Sequence, residues 1–486
     1  MVRTRKIVTF DPVWDDTLKW YERAVGVMAE RGPTDVTSWF YQAAIHGTTR
    51  RPTHDGWSTC EHGGWYFFPW HRGYLVAFEE IVRSIIIDLG GPADWALPYW
   101  DYEQAGKDVL PPAFRTETKP DGTANNLFTD QRFTYVKDGF GLNEILSAAL
   151  GSRATLSSVA GREQSSFSGN GVVPDHPFGF GGGPTPSLPD DEKAADIEQS
   201  IHGTVHVLVG GNDQLGPGVP SGLMAAVETA ALDPIFWLHH ANIDRMWSEW
   251  AANPAHANPD HPDWRTQPWT YFRPDGTTRG ETAESLQDTT TASLGYRYDT
   301  IAEAVPPLDA ITIDAMGDEP GPGEPRSLQP VGWSQPITLT GHEANAEVAV
   351  DRATMDTIAP PGLDAPAPAR TYLELSDIDV PTVPGIVYGV YLHQQGTEPS
   401  DDDLAGVASF FTAGAANSDR RDRPEHRLRY VFDVTDIVAG EPADTLTVTF
   451  RPVGATQLAA ALRGLEAVDE PDAPPVSIGR VALLMG

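Results

Sequence analysis

The sequence predicts a multidomain α+β protein, in which a mainly α-helical domain built on a four-helix bundle is followed by an antiparallel β-sandwich. Two patterns support this fold class. Apolar residues recur every three or four positions, as on one face of a helix, in four segments: 13–45, 73–88, 192–209 and 234–251. Past about residue 334 apolar and polar residues alternate, which is typical of half-buried strands, in these segments: 337–340, 346–350, 371–375 and 446–450.

A Pro/Gly-rich stretch separates the two parts. Residues 317–325 read GDEPGPGEP, a composition that favours an exposed and proteolysis-prone connection. The predicted domains are therefore 1–305 and 334–486, with a linker over 306–333. Within the first domain, 112–191 is rich in Gly, Pro, Ser and Asp, and we expect surface loops there, near the pocket.

Charge and cysteine content narrow the functional classes. Of 486 residues, 34 are Lys or Arg and 68 are Asp or Glu, so the formal net charge is −34. This charge argues against nucleic acid or an anionic membrane as a partner. No stretch approaches the roughly 18 apolar residues that span a bilayer, and no apolar segment follows the basic N-terminus. With one cysteine and hence no internal disulfide, we expect a cytoplasmic protein.

Six histidines form two groups of three that could each hold a metal ion. The groups are His46, His62 and His71, then His202, His206 and His240. His202 and His206 are four residues apart, so on a helix they lie one above the other and can bind one ion together. Adjacent helical residues point about 100° apart, so only one of His239 and His240 can face that ion.

The donor set of each group points to particular metals. Three neutral imidazoles, without a cysteine or carboxylate ligand, suit copper or zinc. A single histidine in an apolar setting is more often a structural residue than a ligand, but six at these spacings in matched halves reverse that expectation. Four helices that supply ligands from their inward faces would form a natural container for two ions.

Two longer motifs around these histidines resemble the signatures of type 3 copper proteins, the family of tyrosinases, catechol oxidases and haemocyanins. The first motif is matched by His62, Phe67, Phe68, Trp70, His71, Arg72, Leu75 and Glu79. The second motif is matched by Asp233, Pro234, Phe236, Trp237, His240 and Asp244. The resemblance selects His240 over His239 as the sixth ligand. It implies two copper ions, dioxygen as the co-substrate, and oxidation of a small o-diphenol to the o-quinone.

The same resemblance implies roles for five further residues. In plant enzymes a glutamate at the position of Glu198 orders a water near the coppers. Tyrosinases with strong monophenol activity pair it with an Asn directly after the first ligand of the second site, where this chain has Gly203. We therefore expect weak or no monophenol hydroxylation. Val227 stands where the family places a gate residue, and Phe67 and Phe236 would pack over the pocket.

Cys60 lies two residues before His62. Fungal tyrosinases and molluscan haemocyanins have a cysteine at this place, with its sulfur bonded to the histidine ring, so the resemblance implies a thioether. A free thiol beside a redox-active copper would be unstable. Plant enzymes place their cysteine much earlier, so this chain combines features of several branches.

The second half of the chain resembles plant-type polyphenol oxidases. There a Tyr-x-Tyr motif, matched by Tyr296 and Tyr298, closes the catalytic domain, and a β-domain covers the active site until it is removed. The segments that resemble this domain's strands are 387–392, 409–411 and 476–481. We expect a latent full-length chain. Phe410 and Phe411 are candidates to enter the copper pocket, although core packing is an alternative for either.

Other functions stay open from the sequence. A true tyrosinase or an o-aminophenol oxidase would use the same ligands, and a non-catalytic dioxygen-binding protein would use them without turnover. A two-zinc hydrolase is a further alternative, although such sites normally include bridging carboxylates. A copper-delivery partner is compatible with the domain arrangement, and the sequence leaves the oligomeric state open.

Overall fold

The structure is a computed structural model that describes residues 2–51, 53–157, 167–168, 172–173, 179–185, 188–193, 197–211, 213, 222–301, 326–358, 369–415, 428–439, 444–464 and 472–486. The helices are α1 (Asp16–Glu30), α2 (Trp39–His46), α3 (Phe67–Asp88), α4 (Thr134–Asp138), α5 (Leu142–Leu150), α6 (Gly203–Gly210), α7 (Val227–Ala230), α8 (Ile235–Ala252), α9 (Pro262–Thr266), α10 (Arg352–Ile358), α11 (Thr435–Ala439) and α12 (Ala455–Arg463). Among these residues no helix is both long and apolar enough to cross a membrane.

The strands are shorter in the first half of the chain and longer in the second. They are β1 (Arg3–Arg5), β2 (Val172–Val173), β3 (Gly183–Thr185), β4 (Leu188–Lys193), β5 (Pro268–Phe272), β6 (Thr278–Thr282), β7 (Tyr296–Tyr298), β8 (Arg326–Ser327), β9 (Gln329–Trp333), β10 (Ile337–Leu339), β11 (Ala344–Val350), β12 (Thr371–Asp379), β13 (Tyr388–Gln394), β14 (Leu404–Ala408), β15 (Tyr430–Asp433), β16 (Thr445–Pro452) and β17 (Val476–Met485).

The helical part of the molecule is organised around α3. This helix packs against both α1 and α8, and most of its residues are buried. Phe78 of α3 stacks on Trp237 of α8 with ring centroids 3.4 Å apart. Pro69 does not break α3, because it lies in the first turn, where backbone N–H groups have no partner within the helix. The mainly helical first domain is as expected, and the four-helix bundle stays a prediction.

The predicted helical segment 13–45 is divided into α1 and α2. α1 begins after Asp15, whose side chain accepts a hydrogen bond from the N–H of Leu18 at 2.8 Å. α2 begins after Ser38, which caps it in the same way. Between the two helices Pro33 cannot donate a backbone hydrogen bond, so the helix does not continue. In segment 192–209, β4 ends at Lys193, and a π-helical turn (Glu198–His202) precedes α6; residues 194–196 lie outside the described residues.

The sequence predicted surface loops over region 112–191, but the structure shows helices and buried residues there as well. The region contains α4 and α5, and α5 buries an apolar face made of Leu142, Ile145, Leu146 and Leu150. The Gly-rich stretch also enters the core, since Phe180 stacks on Phe68 at 4.9 Å and on Trp250 at 4.7 Å. A high Gly and Pro content therefore predicted surface loop for segments that are helical or buried. Much of 158–178, including His176, lies outside the described residues.

A fully buried ionic network joins the two histidine motifs to the chain ends of the helical domain. β1 pairs with β7, the strand that holds the Tyr-x-Tyr motif. Arg5 on β1 donates to Glu79 at 2.8 Å and to Asp244 at 3.2 Å. Asp244 also accepts from Arg72 at 2.6 Å and from the hydroxyls of both motif tyrosines at 2.6 Å. Burial opposes ionisation of the Asp244 carboxyl, but Arg72 and Arg5 outweigh burial and lower its pKa.

The C-terminal part is one continuous antiparallel sheet, which differs from the two stacked sheets of the predicted sandwich. The strand order is β14-β13-β16-β11-β9-β17-β12-β15, with β10 paired to β17. The end strands approach each other, because Gly406 on β14 lies under the ring of Phe432 on β15, so the sheet is nearly closed. Period-two alternation predicts strands but does not show which strands pair, so it could not distinguish a sandwich from this arrangement.

The predicted linker 306–333 is too long at its C-terminal end. β9 pairs with both β17 and β11, so the C-terminal sheet already includes residue 329. Most of the linker, including 317–325, lies outside the described residues.

The C-terminal domain contacts the helical domain away from the histidines as well as near them. α12 packs on α5. Tyr391 donates its hydroxyl to the carbonyl of Leu150 at 2.6 Å, and Tyr135 donates to the carbonyl of Ala455 at 3.0 Å. Arg463 of α12 forms an ion pair with Asp138. These contacts hold the sheet in one position relative to the histidine site.

Candidate metal centre

Two groups of histidines meet inside the helical domain. The ligand atoms within each group lie within 4.8 Å of one another, and the groups are His46, His62 and His71, then His202, His206, His239 and His240. The groups adjoin, because the rings of His71 and His240 stack with centroids 4.5 Å apart. The structure thus brings together the six histidines selected from the sequence, and places His239 beside the second group.

Each histidine is positioned by a different part of the helical framework. His46 ends α2, His62 precedes α3, His71 lies in the second turn of α3, His202 ends the π-helical turn, His206 lies in α6, and His240 lies in α8. π-Helical turns are rare and occur often at functional sites. The rings of His202 and His206 lie 4.6 Å apart, as the spacing of four residues predicts.

Backbone carbonyls fix the orientation of four of these rings. The Nδ1 atom of His71 donates to the Phe67 carbonyl at 2.8 Å, and that of His202 donates to the Glu198 carbonyl at 3.1 Å. Because a carbonyl oxygen only accepts, Nδ1 carries the proton and Nε2 keeps its lone pair. Hydrogen bonds of this kind, from the ring nitrogen that does not bind the metal, orient histidine ligands in metal sites.

One short segment orients a ring in each group. His46 donates from Nδ1 to the carbonyl of Val227 at 3.0 Å, and His206 donates to the carbonyl of Met224 at 2.9 Å. The sequence pointed to Val227 as a gate residue. Its gate role stays a prediction, and the structure adds a backbone role that no side-chain pattern signals. Met224 was missed for the same reason.

The protonation of the cluster suits metal binding. Burial lowers the pKa of His46 to about 4 and that of His202 to about 3. Burial also lowers the pKa values of His71, His206 and His240 well below the usual value for histidine. At neutral pH the rings are therefore neutral and can act as ligands.

The free ring atoms fit a metal that prefers imidazole. Among the described residues, the buried Nε2 atoms of His46, His71 and His202 have no hydrogen-bond partner. The Nε2 atoms of His206 and His240 point toward the same place, 3.2 Å apart. Neither group contains a cysteine or a carboxylate ligand. This donor set fits copper held by three imidazoles at each of two positions.

Glu198 connects the two halves of the site. It is fully buried, and its Oε1 atom accepts a hydrogen bond from the N–H of Gly63 at 2.8 Å. Gly63 directly follows His62 of the first group, whereas Glu198 is four residues before His202 of the second. The carboxylate therefore lies beside both groups, where it could hold a water or accept a proton.

Phe67 and Phe236 pack on rings of both groups. Phe67 lies 4.6 Å from His71 and 4.8 Å from His202, measured between ring centroids. Phe236 lies 4.2 Å from His240 and 4.8 Å from His46. Both phenylalanines are fully buried, so they restrict ring rotation and exclude water from the back of the site.

Cys60 lies against the ring of His62. Its Sγ atom is 3.2 Å from Nδ1 of that ring, and the side chain is buried. The sulfur is therefore in contact with the imidazole ring.

The C-terminal domain reaches the site through residues 409–411. The ring of Phe411 stacks on His206 with centroids 3.9 Å apart and lies 5.5 Å from His202. Phe410 instead packs in the core of the C-terminal sheet, 5.5 Å from Tyr430. Of the two candidates from the sequence, Phe411 thus enters the pocket and Phe410 takes the core position.

Gly203 is in contact with the same segment. A Cβ atom at position 203 would overlap the Oγ atom of Ser409. The absence of a side chain at position 203 therefore leaves room for Ser409. It also means that this position offers no amide near Glu198.

The comparisons with known proteins agree with this site. Residues 36–253 match the family model described as the common central domain of tyrosinase, and residues 328–485 match a domain of unknown function, DUF7868. Tyrosinase HcTyr1 of Hahella sp. (strain CCB-MM4) is 34% identical over 314 residues, which cover 58% of this chain and 61% of the relative. Catechol oxidase B of Solanum tuberosum is 32% identical over 200 residues, which cover 39% and 30%. The chain thus spans less than two thirds of the length of these relatives.

Solved structures share the fold over the whole chain. Latent aurone synthase, a polyphenol oxidase, superposes with a TM-score of 0.61 at 18% identity and covers 100% of this chain and 89% of that one. Latent apple tyrosinase superposes with a TM-score of 0.59 at 18% identity, covering 100% and 97%. Residues 36–253 of this chain are thus similar to the central domain of tyrosinases, and the chain is similar to a curated tyrosinase and a catechol oxidase. This similarity and the two histidine groups together fit a dinuclear copper site.

We expect the substitution His71→Ala to remove one of about two bound copper ions and to abolish turnover, because it leaves the first position with two imidazoles. Copper content measured by atomic emission on dialysed protein checks this. The control is His342→Ala, which changes an exposed histidine of the C-terminal domain and should leave copper content unchanged. Full copper content in the His71→Ala variant would contradict the ligand assignment.

We expect a thioether between Cys60 and the ring of His62 in copper-matured protein. The S–H and one ring C–H bond are replaced by a C–S bond, while two electrons and two protons pass to dioxygen. The intact mass should then be about two hydrogens below the sequence mass. Cys60→Ser provides the control without a mass deficit. A Cys60 that alkylates freely in denatured, copper-matured protein would show that no bond forms.

Proposed function

We propose that this protein oxidises o-diphenols to o-quinones with dioxygen at two copper ions, one held by His46, His62 and His71 and the other by His202, His206 and His240. The observation that carries the proposal is the meeting of two buried imidazole groups, in which the Nε2 atoms of His46, His71 and His202 have no hydrogen-bond partner among the described residues. Bound copper would supply reversible one-electron redox at each position, so that the pair accepts two electrons from a catechol and passes them to dioxygen.

The residues of the chain prepare the site for this reaction. The carbonyls of Phe67, Glu198, Met224 and Val227 hold the rings so that little reorganisation is needed when the copper changes oxidation state. Phe67 and Phe236 keep water from the back of the rings. The carboxylate of Glu198, beside both groups, is placed to hold a water that receives the phenolic proton.

The test of the proposal is copper loading followed by oxygen uptake with three substrates: a small catechol, the matching monophenol and the matching o-aminophenol. Uptake that is greatest with the catechol supports the proposal. A greater rate with the o-aminophenol would assign that substrate class to the same site. Reversible dioxygen binding without turnover of any of the three would overturn the proposal in favour of a dioxygen-binding protein.

We further propose that the intact chain is latent. The support is the stacking of Phe411 on His206, which occupies the place where an aromatic substrate would approach the second copper. Two solved proteins of similar fold, an aurone synthase and the apple tyrosinase, are latent forms. The C-terminal domain would then restrict access of the substrate without removing any ligand.

The backbone shows how this phenylalanine is directed into the pocket. Phe410 has a φ of 52°, in the left-handed region that bulky residues rarely adopt. Its side chain is anchored in the core of the C-terminal domain, and its N–H donates to the hydroxyl of Tyr430 at 2.9 Å. The turn at Phe410 allows the next side chain to leave that core and enter the helical domain. Such a conformation costs about 1–3 kcal/mol and persists only where surrounding contacts determine it.

We expect Phe411→Ala to raise kcat/KM for a small catechol several-fold in the intact chain, because it removes the ring that stacks on His206. Phe432→Ala is a matched control, because Phe432 lies on β15 and stacks on Tyr430 within the C-terminal domain. Copper content should be equal in all three proteins. A Phe411→Ala rate equal to that of the wild type, with cleavage inside 317–325 also without effect, would show that the C-terminal domain has another role.

We expect the rate of catechol oxidation to be much higher than the rate of monophenol hydroxylation, because Gly203 supplies no side-chain amide beside Glu198. Gly203→Asn should raise the monophenol-to-catechol rate ratio, whereas Gly203→Ala, which adds only a methyl group, should not. The ratio is measured after cleavage inside 317–325, because in the intact chain any side chain at 203 meets Ser409. A wild-type ratio near one would contradict this expectation.

A further inference from the structure

His239 is a buried histidine that the proposed reaction does not use. It lies on α8 directly before His240 and is fully buried. Neither of its ring nitrogens has a hydrogen-bond partner in the part of the chain that the structure describes. A buried polar atom without a partner costs roughly 1–3 kcal/mol, so two in one side chain are an unusual arrangement in a protein core.

The ring of His239 lies with the second histidine group. It is nearly parallel to the ring of His202, with centroids 5.3 Å apart, and nearly perpendicular to that of His206, at 4.7 Å. For comparison, the ring of His240 lies 5.0 Å from His202 and 5.4 Å from His206. The two adjacent histidines of α8 are therefore about equally close to the pair on the preceding helical segment. That only one of the two can face the ion stays a prediction.

What differs between the two histidines is their relation to the first group. The ring of His240 stacks on His71 at 4.5 Å, so it lies between the two positions. The ring of His239 instead lies beside that of Tyr102, 5.6 Å away. His202 and His206 can therefore complete a triad in two ways, one with the ring that stacks on His71 and one with the ring beside Tyr102.

We propose that His239 is an alternative third ligand for the second copper ion, which His202, His206 and His239 hold when His240 is not available to it. This inference rests on the proposed copper site and concerns how that site keeps its second ion. Three imidazoles within 4.8 Å satisfy the donor set and the reach that the ion needs. An ion held by this triad would not use the ring that stacks on His71 of the first group.

The test uses cobalt(II) as the probe, since its visible absorption reports binding without any turnover. The full-length chain is stripped of metal and titrated with cobalt(II), and bound metal is counted after dialysis. The variants are His240→Ala, His239→Ala and the double variant, with His342→Ala as a surface control. Near-ultraviolet circular dichroism and occupancy of the first position show whether each variant is folded.

We expect the wild type, His342→Ala and His239→Ala to bind about two ions each. His240→Ala should also bind about two, with the second held more weakly, and the double variant should bind about one. A folded His240→Ala variant that binds only one ion would overturn the inference and leave the proposed function intact. A wild type that binds fewer than two ions would instead count against the proposed site itself. If the double variant unfolds, His239→Phe combined with His240→Ala replaces it, because phenylalanine fills the same space without a ligand atom.

Discussion

The site depends on one constraint: neutral imidazoles must be held in a dry core with their Nε2 atoms directed inward. Backbone carbonyls meet this constraint, because they accept hydrogen bonds from the Nδ1 atoms of four rings. Two of these carbonyls, those of Met224 and Val227, belong to one short segment. Each inward Nε2 without a partner costs roughly 1–3 kcal/mol in the absence of a ligand. A bound ion would offset that cost, so metal binding and folding stability are linked in this domain.

A second buried system keeps the elements that carry the rings in register. Arg5, Arg72, Glu79 and Asp244 form ion pairs in which every partner is buried. Arg72 adjoins His71, and Asp244 is one helical turn after His240, so the network joins the two ligand helices through residues that touch no ligand. Removing one partner of a buried pair leaves a charge without compensation, which typically costs about 3–5 kcal/mol. This explains in physical terms why both motifs include charged residues beyond the histidines.

The absence of a side chain at Gly203 has two separate consequences. In the proposed reaction position 203 supplies no side-chain amide near Glu198, which bears on the choice between monophenols and catechols. In the assembled molecule the same absence leaves room for Ser409, and so for the turn that directs Phe411 onto His206. A change at this position would therefore alter both the chemistry and the docking of the C-terminal domain. The two effects can be separated only when that domain is displaced.

The sequence by itself determined the helical character of the first domain, the strands of the second and the six histidines, because each follows from local spacing or from a motif. It could not determine that the nine strands form one nearly closed sheet, because alternation sets the faces of a strand but not its neighbours. Nor could it place α5 or Phe180 in the core, since Gly and Pro content masks short buried segments. The tertiary structure alone decided that Phe411 rather than Phe410 enters the pocket, that the carbonyls of Met224 and Val227 orient two ligands, and that His239 lies as close to His202 and His206 as His240 does. In each case the reason is contact between residues far apart in the chain, which local sequence patterns do not encode.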